Sequence, residues 1–182
     1  MKIKLKYISW FLLGLAILFY TNELHKYKPK EDMFKEDKLC LKEALYMEAR
    51  NTTKEEKVAI LEVILNRYRS DKYPDSICKV INRPWQFSYK NHLEDKSQII
   101  LPRYQEISSI LDKRAYYEIW NIVESKFEGN KILPNVILPE GTLWYHLSSI
   151  KEPYWARSKK MRRVQIDVDM KFKHKYYASE VH

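Results

Sequence analysis

A glutamate set into an apolar helix stripe holds the most chemical promise in this sequence. Between Leu39 and Arg50, Leu41, Ala44, Leu45 and Glu48 recur at i, i+3, i+4 and i+7, the spacing of one helix face. Glu48 therefore sits on the inward face, near the helix's C-terminal end. Burial without a cationic partner raises a carboxyl's pKa, keeps it protonated and suits it to act as a general acid. Pairing with Arg50 or Arg67, or a place at the edge of the face, would remove that chemistry. Glu43, Glu55 and Glu62 fall among positions predicted to be solvated. A second group is aromatic: Trp85, Phe87, Tyr89, Trp144, Tyr145, Tyr154, Trp155, Tyr176 and Tyr177 gather outside the helical stripes. Aromatic faces among amides and hydroxyls suit sugar rings, whose C–H faces are apolar and whose rims hydrogen-bond. They suit plain core packing equally well.

The elements that must position these groups are mostly helical. After Leu39 to Arg50, Asn51 is expected to take the left-handed conformation that ends a helix. Thr53 and Glu56 form a Thr-x-x-Glu capping box that opens a second helix to about Ser70. Its stripe is Val58, Leu61, Leu65 and Tyr68, with Ile60 and Ile64 alongside. Pro74 and Asp75 break the chain before a short helix around Ser76 to Ile81. Arg103 to Phe127 reads as helical, with Ile107, Ile110, Leu111, Trp120 and Val123 as core positions. Thr142 to His146 reads as a strand. Val164, Ile166, Val168, Met170 and Phe172 alternate with polar residues, the period-2 signal of a half-buried strand or hairpin. The expected fold class is α+β and mainly helical, with a small C-terminal antiparallel sheet.

Composition narrows the function. The chain has 182 residues and a net charge of +9, enough for one domain of ordinary size with an anionic partner. Only three glycines are present, too few and too dispersed for a phosphate-cradling loop. Lys2, Lys4 and Lys6 precede an uncharged run from Tyr7 to Tyr20, the layout of an export signal. No small-residue cleavage site follows, so residues 1–22 are expected to be an uncleaved signal anchor, or transmembrane helix, with the lysines inside. A cleaved signal peptide, which would leave the domain secreted, and a core helix of the domain are the alternatives. Residues 23–38 then form a polar tether and 39–182 the exported domain. The membrane is one partner on this reading, and nucleic acid is excluded. Outside the cytoplasm, Cys40 and Cys78 suit a disulfide; two buried thiols are the alternative.

A resemblance gives these residues a context. Leu39 to Arg50, which reads Leu-Cys-Leu-Lys-Glu-Ala-Leu-Tyr-Met-Glu-Ala-Arg, resembles the opening motif of the SleB-type cell wall hydrolases, the family of spore-cortex lytic enzymes. Val63 to Ser70 resembles that family's second-helix signature, and Tyr73 to Cys78 its Phe-Pro-x-x-x-Cys turn. Gln86-Phe87-Ser88-Tyr89 is similar to Gln-Phe-Ser-Trp, and Gly141 to His146 to Gly-Ala-x-x-Tyr-His, followed by Pro153-Tyr154-Trp155-Ala156. His174 and Tyr177 fit a closing His-x-Phe-Tyr. One departure is plain: Asn51-Thr52 stands where the family usually has Gly-Glu.

The resemblance implies a lysozyme-like domain that cuts peptidoglycan between N-acetylmuramic acid and N-acetylglucosamine. It further implies a lytic transglycosylase with one essential glutamate, which maps onto Glu48. Gln86, Ser88, Tyr145 and His146 then become the candidates for holding sugar or orienting Glu48. No cofactor and no metal are expected. Three other readings compete. A hydrolytic muramidase or glucosaminidase would use Glu48 and water, with Glu94, Asp95 or Glu140 as a second carboxylate. A zinc amidase lacks a helical His-x-x-x-His pair among His25, His92, His146, His174 and His182. A catalytically inactive, membrane-anchored wall-binding module would use the aromatic residues and the basic surface alone.

Overall fold

Leu41, Ala44 and Leu45 carry the first helix into the core. All three are fully buried in the computed structural model, which describes residues 34–166 and 172–179. This helix, α1 (Lys35–Ala49), begins earlier than its stripe suggests. Residues 35–38, expected in the tether, are its first turn. Phe34 before them is buried against Phe127, with ring centroids 5.1 Å apart. The expected signal anchor and the rest of the tether lie outside the described residues. Among the described residues, no helix is long and apolar enough to cross a membrane. Asn51 does not turn left-handed. The end of α1 is closed instead by Thr52, whose N–H and hydroxyl both donate to the Ala49 carbonyl at 3.0 and 2.8 Å.

The second helix, α2 (Lys54–Arg69), is the centre of the molecule. Ala59, Ile60, Leu61, Val63, Ile64 and Leu65 are all fully buried, so it is covered on more than one face. Thr53 caps its start, its hydroxyl accepting the Glu56 N–H at 3.2 Å. The short α3 (Ile77–Asn82) follows, capped by Ser76. Cys40 and Cys78 are joined by a disulfide that ties α1 to α3. Closing a loop of this sequence separation, 38, contributes up to about 4 kcal/mol by restricting the unfolded chain.

The long helix expected over Arg103–Phe127 is broken. Only α4 (Ile110–Ser125) is α-helical, after a single 3-10 turn at Tyr104–Glu106. Ser109 sets the break, because its hydroxyl accepts the Asp112 N–H at 3.3 Å and caps a new helix there. The inward face of α4 is consequently Ala115, Ile119, Ile122 and Val123. Ile107 and Val123 are buried as expected, whereas Ile110 and Leu111 are exposed and Trp120 lies at the surface.

The remaining strands are short. A hairpin pairs β1 (Phe127–Glu128) with β2 (Lys131–Ile132), turning on Gly129 at a φ of 57°. A three-stranded antiparallel sheet then forms from β3 (Thr142–Leu147), β4 (Met161–Arg163) and β5 (His174–Ser179), in the order β3-β5-β4. The alternation from Val164 to Phe172 predicts a strand, but residues 164–166 are irregular and 167–171 lie outside the described residues. Strand structure lies on either side of that stretch.

Side chains of α2 hold this C-terminal half in place. Glu62 accepts the N–H groups of Val136, Ile137 and Leu138 at 2.6, 3.1 and 2.8 Å, and pairs with Lys126 at 2.9 Å. Asn66 donates to the carbonyls of Pro139 and Thr142, and Arg67 to that of Leu143. Glu62 is therefore a fully buried anchor, not the solvated residue its neighbours suggest.

Candidate active site

The site is assembled at the C-terminal end of α1, where Glu48 is the penultimate residue. The apolar stripe turns Glu48 inward, and the helix end leaves it half-buried. Its two possible cationic partners are engaged elsewhere. Arg50 pairs with Asp112 at 3.6 Å and lies over the Tyr46 ring, while the Arg67 Nε donates to the Leu143 carbonyl at 2.8 Å. Burial accordingly pushes the Glu48 carboxyl above the usual carboxylate range. His174 and Ser88, which favour the charged form, offset only part of that rise. The carbonyl end of a helix dipole also disfavours negative charge.

Ser88 reaches Glu48 because a second acid pins its loop. The Ser88 hydroxyl donates to Glu48 Oε1 at 3.5 Å. Five residues earlier on the same helix, Glu43 is fully buried, which corrects its reading as solvated. Its carboxylate pairs with Lys90 at 2.8 Å and accepts the Ile100 N–H at 2.6 Å and the Tyr89 hydroxyl at 3.4 Å. Lys90 also donates to the Gln98 carbonyl at 2.7 Å. With Phe87 buried as a peg, these contacts clamp the 86–100 segment onto α1.

The sheet supplies the opposite wall. Tyr145 and Tyr176 are cross-strand partners, and the Tyr145 ring stands edge-on to His174 with centroids 5.2 Å apart. Burial raises the pKa of the Tyr145 hydroxyl, and the Glu48 charge adds to the rise. Tyr89 behaves in the same way, with Glu43 and Glu48 as its charged neighbours. His174 is held by Glu56, whose Oε1 accepts its Nδ1–H at 2.7 Å and its backbone N–H at 2.9 Å. Only the Thr53 half of the expected capping box is thus made, since the Glu56 side chain turns to the sheet. Its second oxygen is buried without a hydrogen-bond partner among the described residues.

Of the residues singled out from the sequence, Ser88 and Tyr145 come together with Glu48. Gln86 is half-buried on the same loop as Ser88, and its side-chain amide makes no hydrogen bond among the described residues. His146 lies elsewhere. Adjacent residues of a strand point to opposite faces, so His146 faces away from Tyr145. Its ring stacks on Tyr177, centroids 5.5 Å apart, with Trp155 edge-on to both. Its Nδ1–H donates to the Leu147 carbonyl, and Nε2 lies 3.1 Å from the Tyr177 hydroxyl, which donates to Glu152. Glu94, Asp95 and Glu140 are exposed, and none contacts Glu48. Sequence reasoning missed Glu43 and Glu56. Glu43 carried no local signal, and in Glu56 the capping pattern masked a second role.

Comparison with known proteins gives the family. Residues 51–172 match the family model described as Cell Wall Hydrolase, and the chain belongs to that family. The matched span contains Glu56, Ser88 and Tyr145 and begins just after Glu48. Peptidoglycan degradation is the activity such a family carries. Among solved structures, the catalytic domain of the Bacillus cereus SleB protein is similar, at 23% identity. The match covers 81% of this chain and 93% of that one, with a TM-score of 0.47. No curated protein matches the chain.

Proposed function

We propose that the protein is a lytic transglycosylase that cleaves the peptidoglycan glycan strand between N-acetylmuramic acid and N-acetylglucosamine. The observation that carries this reading is Glu48, half-buried and in no ion pair among the described residues. Burial raises its carboxyl above the ordinary range despite the opposing influence of His174 and Ser88. Protonated Glu48 donates to the glycosidic oxygen as the bond from C1 of muramic acid breaks. The carboxylate left behind then takes the proton of the muramic acid C6 hydroxyl as that oxygen closes on C1. The product ends in 1,6-anhydromuramic acid, no water is consumed, and Glu48 returns to its starting state. One carboxyl serves both steps, so the second acid of an ordinary glycosidase is not needed. Ser88 steadies the carboxyl through its 3.5 Å hydrogen bond, and Tyr145 walls the site. Gln86 offers a free amide to the sugar.

A specific observation favours hydrolysis as the second reading. Glu56 fixes the Nδ1–H of His174, which leaves the other ring nitrogen free to hold a water beside Glu48. The two chemistries part by mass. With isolated peptidoglycan as substrate, transglycosylation releases muropeptides with anhydro ends. Hydrolysis releases the same fragments heavier by one water, with reducing ends. Retained wall binding without any released fragment would instead make the protein a binding module.

Residues 1–22 are proposed to anchor the protein in the membrane, with the basic domain facing the wall. Deleting them should move the protein from the membrane fraction to the soluble fraction. Unchanged fractionation would remove the anchor from the account.

A further inference from the structure

Trp85 combines two features that folding alone does not reward. Its side chain is 85% exposed, although an indole is among the largest apolar groups a chain can bury. Its backbone also sits at a φ of 64°, and among the described residues it is the only non-glycine at positive φ. A bulky L side chain rarely adopts that conformation, and such outliers gather at ligand clamps and active sites. The conformation is held from outside the residue. The Trp85 N–H donates to Asn91 Oδ1 at 3.1 Å, the Gln86 N–H donates to the Arg83 carbonyl at 3.3 Å, and the Phe87 ring is buried just beyond.

The position gives this exposed ring a use. Trp85 precedes Ser88 by three residues, and Ser88 touches Glu48. Three residue steps span at most about 11 Å, so the Trp85 backbone lies within about two sugar units of the residue that holds the acid. Between them, the Gln86 amide is free of hydrogen bonds among the described residues. A flat apolar ring beside an unengaged amide matches the chemistry of an N-acetylated pyranose, which presents a C–H face and a polar rim.

We propose that Trp85 is a stacking platform for a pyranose ring of the glycan strand, one or two units from the bond at Glu48. Gln86 meets that sugar's N-acetyl or hydroxyl groups. The proposal rests on the glycan-cleaving reading above and names how that site takes hold of its polymer.

The test uses an unusual property of the position. Trp85→Gly in the full chain removes the ring and also relieves the backbone, because glycine accepts positive φ without strain. The expected result has opposite signs for binding and folding. The half-saturating concentration of peptidoglycan rises about tenfold with little change in the maximal rate, while the melting temperature is unchanged or higher. Trp85→Phe recovers much of the binding. A tetramer of N-acetylglucosamine quenches tryptophan fluorescence in the parent protein but not in Trp85→Gly. Unchanged half-saturation in Trp85→Gly overturns the proposal. So does a lowered melting temperature with parallel loss of rate that Trp85→Phe fails to restore, because the ring is then structural. Glu48→Gln, assayed in parallel, separates the two claims. If it is inactive while Trp85→Gly is normal, only the stacking platform falls. If it is fully active, the assignment of the acid to Glu48 falls, and with it the distance of the platform from the cleaved bond.

Discussion

Glu43 and Glu48 lie on one helix and one is fully buried, yet it is the less buried acid that we propose carries the chemistry. Glu43 is saturated, with Lys90, Tyr89 and the Ile100 amide converging on its carboxylate. Glu48 is bonded only to Ser88 and forms no ion pair among the described residues, although His174 lies near enough to favour its ionised form. The early part of α1, with Cys40 in its disulfide and Glu43 in its ion pair, is therefore scaffold. The last turn is left chemically open. On that proposal, depth of burial does not mark the reactive acid; a carboxyl outside any ion pair at the edge of the core does.

The scaffold half gives the largest expected effects. Glu43→Gln leaves Lys90 as an uncompensated charge in the core, a loss of about 3–5 kcal/mol. Chemical denaturation should show it, with activity lost only as the fold is lost. Glu43→Leu with Lys90→Met should recover part of the stability, and the Ile100 amide left unpaired explains the remainder. If Glu43→Gln melts like the parent protein, the contrast between the two acids disappears. Cys40→Ser comes next, with a loss of about 2–4 kcal/mol. Reduction of the parent protein should produce the same shift.

The open half gives smaller effects of a different kind. Ser88→Ala removes a hydrogen bond that favours ionised Glu48, so the Glu48 pKa rises further. A general acid must be protonated, and activity falls as pH climbs through its pKa. The alkaline limb of the pH–rate profile should move to higher pH in Ser88→Ala, with little change in melting temperature. An unmoved limb would detach Ser88 from Glu48.

The smallest effect concerns stability. A carboxyl whose pKa is raised by folding binds its proton more tightly in the folded state. Its contribution is fully present below the unfolded pKa and is lost as pH rises through the folded one. Glu48→Gln should therefore melt slightly higher than the parent near pH 7 and match it near pH 4. The opposite order would mean that Glu48 is paired after all.

What the sequence made legible follows from range. The α1 stripe, the Thr53 cap, the short helix after Pro74-Asp75 and the β3 strand are local patterns, and each is found in place. Glu48 was reachable because three apolar residues on its own helix fix its direction. Glu43, Glu56 and Glu62 were not, because their partners stand forty or more residues away along the chain: Lys90, His174 and the 136–138 amides. Hydropathy assigns such acids to solvent, and only tertiary contact reverses that. The exposed Ile110 and Leu111 have the converse cause. Reading one helix through Ser109 fixed the wrong phase, and a single capping hydroxyl decides it. Tyr145 and His146 looked like one motif, but the pleat of β3 sends them to opposite faces.

The central claim is that Glu48 is the acid, and Glu48→Gln tests it most directly. The full-length variant would be mixed with isolated peptidoglycan and the released muropeptides measured against the parent protein, with melting temperatures recorded alongside. The account predicts a loss of about 100-fold or more in release, from a protein at least as stable as the parent. Release within a few-fold of the parent, from an equally stable variant, would contradict it and move the chemistry to another group.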